Sequence, residues 1–516
     1  MTKYIFVTGG VTSGVGKGII ASSLGRLLKS RGLRVFVQKL NPCLNVNLAN
    51  ASLYKHNEIY VTEDGFETDI DLGHYERFID ENLTEHSVVT MGMINAKILE
   101  KENNNEFLGQ TIEVTPHITN IVKDYVYNVT IKYKPDIQII EISGTVGYCE
   151  CNIFLEAMRQ LKLELGYNNA IHIHTTLLPY LKTSHELKIE PTIHSVKSLV
   201  SMGINPDFVV LRADHIISDE IKQNVAVSIS LPQNKVITLP DVTNIYEVPF
   251  ILYHQKMDKL ICNIFKIENV INLKPWIDLL DNYNATKKEV TIFIVGEGPY
   301  ISVSEALVHA SISQKVKVKI EYINASELTE DNHVFKLIKA DGMIIPSSFE
   351  TKNISGKILA IKYAREKNLP FIGIDLGFEL SVIEYGNNVL NLKDASSTRL
   401  NKDTINPVIN NGDLRIGSKE SIIKESLIAS NIYKTKTITE RHNNRIEFNN
   451  EYLTDYETSG MKTSIVSSKS NLVDMIELKN HIYFVATNFH PEFKSRPNKP
   501  HPIFYYFIKV ITDKKI

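Results

Sequence analysis

Chemistry is written most densely into residues 4–18, Tyr4-Ile5-Phe6-Val7-Thr8-Gly9-Gly10-Val11-Thr12-Ser13-Gly14-Val15-Gly16-Lys17-Gly18. A glycine-rich turn between an apolar run and a helical one gathers backbone N–H groups and a helix N-terminus around one point. That arrangement suits a phosphate, and Lys17 would add a full positive charge beside β- and γ-phosphates. The pattern G-x-x-x-x-G-K-[ST] wants glycine at 11 and a hydroxyl at 18. The chain has Val11 and Gly18, so Thr12 or Ser13 would supply the hydroxyl. A plain βα turn with an exposed lysine is the alternative, but it does not call for so much glycine.

Acids stand at two further points. Thr62-Glu63-Asp64-Gly65 and Glu67-Thr68-Asp69-Ile70-Asp71-Leu72-Gly73-His74 form a dense cluster, read either as solvated surface or as a hard-cation site. Glu141 ends the apolar run Ile137-Gln138-Ile139-Ile140 and precedes Ser143-Gly144-Thr145-Val146-Gly147. An acid at the carboxyl end of an inner strand, beside a phosphate loop, is where α/β nucleotide enzymes hold Mg²⁺, which takes one or two carboxylates plus phosphate oxygens. In the second half, Gly373-Ile374-Asp375-Leu376-Gly377 has the shape of a nucleophile elbow. After the run Ile482-Tyr483-Phe484-Val485 come His490 and Glu492, the base-and-orienter half of a nucleophilic triad.

The elements that must position these residues alternate. Strands are expected at 4–7, 35–39, 137–140, 170–174, 208–212 and 235–239, with helical patterns between. The first helix carries apolar positions 20, 24, 27 and 28 on one face and stops near Gly32. His172 and His174 alternate on a strand and read as sheet-face residues rather than ligands. The pattern loosens over 266–288 and resumes with strands at 290–296, 342–346 and 370–374, and 393–420 reads as a polar loop. The fold class expected is α/β with two domains, each a mostly parallel sheet flanked by helices: 1–265, a linker at 266–288, and 289–516.

At 516 residues the chain exceeds one ordinary core, and 43% hydrophobic with 22% charged residues describes a globular protein. A formal net charge of −2 gives no electrostatic footprint for nucleic acid or an anionic membrane. No apolar run reaches membrane-spanning length and Met1-Thr2-Lys3 leads straight into a strand, so a cytoplasmic protein is expected. Cys43, Cys149, Cys151 and Cys262 lack metal-ligand spacing and read as free thiols; all lie in the first 262 residues.

Over essentially its full length the chain resembles CTP synthase, an amidoligase domain followed by a class I glutamine amidotransferase domain. The motifs that carry the resemblance are Phe6-Val7-Thr8-Gly9-Gly10-Val11, Val61-Thr62-Glu63-Asp64-Gly65, Asp71-Leu72-Gly73-His74-Tyr75-Glu76-Arg77-Phe78 and Pro116-His117-Ile118-Thr119-Asn120, then Gly144-Thr145-Val146-Gly147, His194-Ser195-Val196-Lys197 and Phe489-His490-Pro491-Glu492-Phe493. The resemblance implies ATP-dependent phosphorylation of UTP at its 4-oxygen and displacement of that phosphate by ammonia, which a Cys-His-Glu triad releases from glutamine. It assigns ATP to Ser13, Gly14, Val15, Gly16, Lys17, Gly18 and Ile19, with the purine at Arg212, Asp241 and Val242. It assigns Mg²⁺ to Asp71 and Glu141, catalysis to Lys17 and Lys39, and substrate contacts to Ser13, Lys39, His56, Glu150, Lys188, Glu190 and Asn224. A homotetramer, with filaments or mixed assemblies, is implied in the same way.

The match fails in particular places. Asp375 occupies the family's cysteine position, and only a thiolate forms the thioester of glutamine hydrolysis. No cysteine follows Cys262, so His490 and Glu492 are left without their nucleophile. Ser347-Ser348-Phe349-Glu350 replaces a Gly-Gly oxyanion loop, where losing one donor costs about 10²–10³ in rate. The UTP pattern K-x-K-P-T-Q reads Lys188-Ile189-Glu190-Pro191-Thr192-Ile193, a second lysine aligns with Asn224, and a UTP-contacting glutamine aligns with Glu113. Exchanging two lysines for an acid and an amide would remove about 3–6 kcal/mol, two to four decades of affinity, unless Lys182, Lys197 or Lys222 compensates. Three readings stay open: a CTP synthase that needs free ammonia, a pseudoenzyme that binds ATP and assembles with or regulates an active synthase, and an amidoligase for a less anionic substrate.

Overall fold

The computed structural model describes residues 1–47, 58–286, 288–348, 351–425 and 428–514. They fall into two compact units, Met1–Ala51 with His74–Ile277, and Ser52–Gly73 with Asp278–Ile516.

In the first unit, β1 (Lys3–Gly9), β2 (Val35–Asn41), β5 (Val88–Thr90), β6 (Ile137–Ile142), β7 (Ala170–Leu177), β10 (Phe208–Ala213) and β11 (Val236–Pro240) form one sheet. The short hairpins β3–β4 (Tyr60–Val61, Glu67–Thr68) and β8–β9 (Tyr180–Leu181, Glu186–Leu187) lie outside it. The order is β11-β10-β7-β1-β6-β2-β5 and every pairing is parallel. Such strands are covered by helices on both faces, which is why Tyr4, Ile5, Phe6 and Val7 are all buried instead of alternating. The helix Lys17–Lys29 buries Ile20, Leu24, Leu27 and Leu28, as its spacing predicts, and places Arg26 and Lys29 in its last turn, where cations complement the dipole. His172 and His174 are both fully buried on β7. His172 packs against Phe6 at 4.9 Å, and His174 shares hydrogen bonds of 2.8 Å with Thr8 Oγ1 and Ser195 Oγ. Both are core residues, as expected. Burial keeps both rings neutral, with His174 lowered to about 3 by desolvation and then by Lys17.

The second unit contains β12 (Lys288–Gly296), β13 (Val316–Asn324), β14 (Gly342–Ile345), β15 (Phe371–Ile374), β16 (Ala395–Ser397), β17 (Asn406–Ile423), β18 (Thr437–Phe448), β19 (Met461–Ser467), β20 (Val473–Leu478) and β21 (Phe484–Thr487). The order is β13-β12-β14-β15-β21-β20-β19-β17-β16, with β18 on β17. The α/β reading holds, and this sheet is mixed: β13 to β21 pair in parallel, whereas β21-β20-β19-β17-β18 run antiparallel.

The expected polar loop at 393–420 is corrected here. It holds β16 and most of the 18-residue β17, whose polar residues face outward along a long antiparallel ribbon with β18. Polar composition marks a solvated strand as readily as a loop. Within 266–288 lies the helix Lys274–Asn284. Trp276 on it donates to the Tyr246 carbonyl at 2.8 Å, and the grouping changes at 277/278.

Segment 52–73 groups with the second unit although it precedes most of the first in sequence. Arg441, fully buried on β18, bonds the Tyr60 hydroxyl, the Val61 carbonyl and Glu63, each at 3.1 Å. Asn443 donates to Glu67 at 3.1 Å, and Tyr60 donates to the Phe493 carbonyl at 3.0 Å. Glu63 and Glu67 therefore serve structure, the outcome the cation reading of that cluster did not anticipate.

Candidate active sites in the two units

In the first unit the glycine-rich loop joins β1 to the helix Lys17–Lys29, at the carboxyl ends of the central strands, where open α/β sheets bind ligands. Gly16 caps the helix at φ 87°, a left-handed conformation that strains any residue with a Cβ and favours glycine. Ser13 and Gly14 are exposed at the loop's outer turn, Gly16 and Ile19 are half-buried, and Val15 and Gly18 are buried. Lys17 is buried to 7% exposure, and its Nζ donates to the Gly144 carbonyl at 2.9 Å. The Val146 N–H donates to the Gly9 carbonyl at 2.8 Å, which fixes the 144–147 turn against the loop.

Lys39 and Glu141 are register partners on β2 and β6, and both are buried. Parallel register sets their side chains on one face, and the Tyr75 hydroxyl donates to Glu141. Asp71 opens the helix Asp71–Ile79, its N–H donating to Asp69 Oδ1 at 3.2 Å, and it groups with the second unit. Arg212 pairs with Asp241 and donates to the Val15 carbonyl at 3.4 Å; Val242 is half-buried beside Asp241. The arrangement thus brings together Lys17, Arg212, Asp241 and the loop, and separately Lys39, Glu141 and Tyr75. Sequence reasoning missed Tyr75, which sits inside a quoted motif but carries no charge to mark it.

Apart from the buried Lys39, the described substrate residues assigned by resemblance are exposed or half-buried. Glu150 lies in the short turn Cys149–Cys151, and Glu190 opens the helix Glu190–Ser201. Asn224 is exposed on the helix Asp219–Ser228, and Lys188 is tied to Glu186. His56, Phe349 and Glu350 lie outside the described residues. Among the described residues no group of three or more His, Cys, Asp or Glu could hold a metal ion by itself.

In the second unit the elbow is realised. β15 ends at Ile374, Asp375 adopts φ 47° and ψ −97°, and the helix Leu376–Asn388 begins at once. A Cβ on Gly377 would lie 2.3 Å from the Ile345 carbonyl, so the turn can close only on glycine. The Asp375 N–H is held by the Thr487 carbonyl at 2.8 Å. Its carboxyl is 9% exposed and is pushed up to about 6, chiefly by burial and further by Glu379, against the lowering pull of His490 and Arg399.

His490 Nδ1 bonds Glu492 Oε1 at 2.8 Å, and the ring stacks on Phe493 at 4.8 Å. Burial opposes the imidazolium, but Glu492, then Asp375 and Glu58, outweigh it and raise the His490 pKa. The elbow and the His–carboxylate pair are thus brought together as read from sequence. Glu379, buried beside Asp375, and its half-buried partner Arg399 were missed. Glu379 was findable at one helical turn past Asp375, whereas nothing in the sequence ties Arg399 to it.

A parallel sheet with a glycine-rich phosphate loop, followed by a mixed sheet with a nucleophile elbow and a His–carboxylate pair, defines an α/β nucleotide enzyme joined to an amidotransferase-type module. Residues 3–267 match the CTP synthase N-terminus family and residues 299–510 the class-I glutamine amidotransferase family. CTP synthase of Bacillus subtilis (strain 168) is 45% identical over 525 residues, covering 98% of both chains. CTP synthase of Clostridium beijerinckii is 44% identical over 530 residues, covering 99% of both. The solved glutaminase domain of Trypanosoma brucei CTPS with bound acivicin is 30% identical, covering 43% of this chain and 94% of that one, with a TM-score of 0.42. The chain belongs to the CTP synthase family, a family of ATP-dependent ligases. Among the described residues no helix is long and apolar enough to cross a membrane.

Proposed function

We propose that this chain aminates UTP to CTP at the expense of ATP, taking free ammonia instead of glutamine nitrogen. The observation that carries the reading is Asp375, a buried carboxylate at the tip of the elbow where hydrolysis of glutamine needs a thiolate. The first unit keeps its loop geometry, with Gly16 at positive φ and a buried Lys17.

The residues fit ATP and Mg²⁺. The loop offers backbone donors at a helix N-terminus, and Glu141 supplies a hard oxygen ligand in the first unit. The metal would neutralise charge on the transferred phosphoryl. Ser13 to Ile19 would hold the phosphates, with Arg212, Asp241 and Val242 at the purine. Lys39, on one face with Glu141, would position the 4-oxygen of UTP. Residues 1–265 would form the amidoligase domain and 289–516 the amidotransferase-like one, in a cytoplasmic homotetramer.

A second reading, a pseudoenzyme that binds ATP and assembles with or regulates an active synthase, is favoured by one feature: the remaining lysine of the UTP motif, Lys188, is engaged by Glu186. Purified chain with ATP, Mg²⁺ and UTP separates the two. CTP formed with ammonium chloride but not with glutamine supports the first. ATP binding without UTP binding at millimolar concentration supports the second. CTP formed from glutamine alone overturns both.

A further inference from the structure

Glu141, the carboxylate that would hold Mg²⁺ in the first unit, is buried near the carboxyl end of β6, and the Tyr75 hydroxyl donates to its Oε2. Tyr75 is itself fully buried in the helix Asp71–Ile79, as are Phe78 and Ile79. Phe78 packs against Tyr246 at 5.2 Å and Trp276 at 5.7 Å, which seats the helix without help from a phenol oxygen. Phenylalanine at 75 would meet the same apolar demand, and a buried hydroxyl is a cost unless it is paired. Here the partner is a carboxylate set among the groups of the phosphate loop. In register Glu141 stands between Val7 on β1, two residues before Gly9, and Lys39 on β2, and three residues on the Gly144 carbonyl accepts from Lys17 Nζ. A glutamate carboxylate turns about three side-chain bonds, and the buried Lys39, one strand spacing or about 5 Å away, is a cation for it to turn to.

We propose that Tyr75 is the positioning residue of the metal ligand: its O–H fixes the Glu141 carboxylate in the orientation from which it binds Mg²⁺ and secures one oxygen against the pull of Lys39. The role rests on the assignment of Mg²⁺ to Glu141 above. A phenol suits the task because it gives direction without charge. An O–H donated to a carboxylate is a short, strong bond, yet it leaves the full negative charge for a hard cation that binds charged oxygen. A lysine or arginine in its place would neutralise the ligand as it held it. Partners that orient a metal's ligands are worth about 10–100-fold in metal affinity.

The test measures, by calorimetry on the full chain, the affinity for a non-hydrolysable ATP analogue in saturating Mg²⁺ and again in EDTA; the ratio of the two is the metal's contribution. In the parent Mg²⁺ should tighten binding. Tyr75→Phe, which keeps the ring, should cut the ratio about tenfold and leave the affinity in EDTA within about twofold of the parent's. Glu141→Gln should cut the ratio at least as far. Tyr75→Phe added to Glu141→Gln should then change it by less than about twofold, because the phenol acts through the carboxylate. An unchanged ratio in Tyr75→Phe, an equal loss of affinity with and without metal, or additive effects of the two substitutions would each overturn the role of Tyr75 and leave the magnesium assignment standing. A parent indifferent to Mg²⁺, or a Glu141→Gln variant that keeps the parent's ratio, would overturn both.

Discussion

Replacing Asp375 by asparagine should stabilise the second unit at neutral pH and have little effect in acid. The substitution keeps size and the tolerance for positive φ, so the elbow at φ 47° is not the variable. What changes is a buried charge. The Asp375 carboxyl is raised from an ordinary 3.8 to about 6, chiefly by burial. An acid raised in the folded state costs nothing below pH 3.8, where both states are protonated, and its full penalty falls above pH 6, where both are ionised. The difference amounts to about 3 kcal/mol. Part is offset because Asp375 also helps hold His490 charged, which leaves about 2–3 kcal/mol at pH 7.5 and about 1 kcal/mol at pH 4.5.

The single tryptophan, Trp276, belongs to the first unit and does not report on the elbow. Urea unfolding is therefore read by hydrogen exchange in peptides from the helix Leu376–Asn388, at pH 4.5 and 7.5. A parent–variant difference that stays the same at both pH values, or an asparagine variant less stable at pH 7.5, would refute the assignment of a buried, destabilising carboxylate.

Arg441→Ala should destabilise the second unit by about 3–5 kcal/mol, because it leaves Glu63, the Tyr60 hydroxyl and the Val61 carbonyl without their buried cation; denaturation and faster proteolysis of segment 58–70 would show it. Gly16→Ala should weaken ATP binding at least tenfold by calorimetry, since the positive φ there strains any residue with a Cβ. Asp375→Cys should release no measurable glutamate from glutamine, because Ser347-Ser348 would remain at the oxyanion turn and would not hold the oxyanion as a Gly-Gly loop does; an amidohydrolase assay that detects turnover would show this wrong.

Local order decided much of what the sequence made legible. The β1–loop–helix unit, the strand ending in Glu141, the elbow at 373–377 and the His490–Glu492 pair each depend on neighbours within about fifteen residues. Backbone sterics, helix periodicity and turn chemistry express themselves there directly. The loss of the thiol was equally legible, since it is a matter of residue identity. Tertiary structure alone decided the rest. The polar 406–423 became a strand because β18 and β19 pair with it, and segment 52–73 joined the second unit because Arg441, nearly four hundred residues away, buries its charge there. The gathering of Asp375, Glu379, Arg399, His490 and Glu492 at the elbow arises in the same way. Burial and pairing between distant residues set the charges there, and neither is encoded in the spacing of the residues involved.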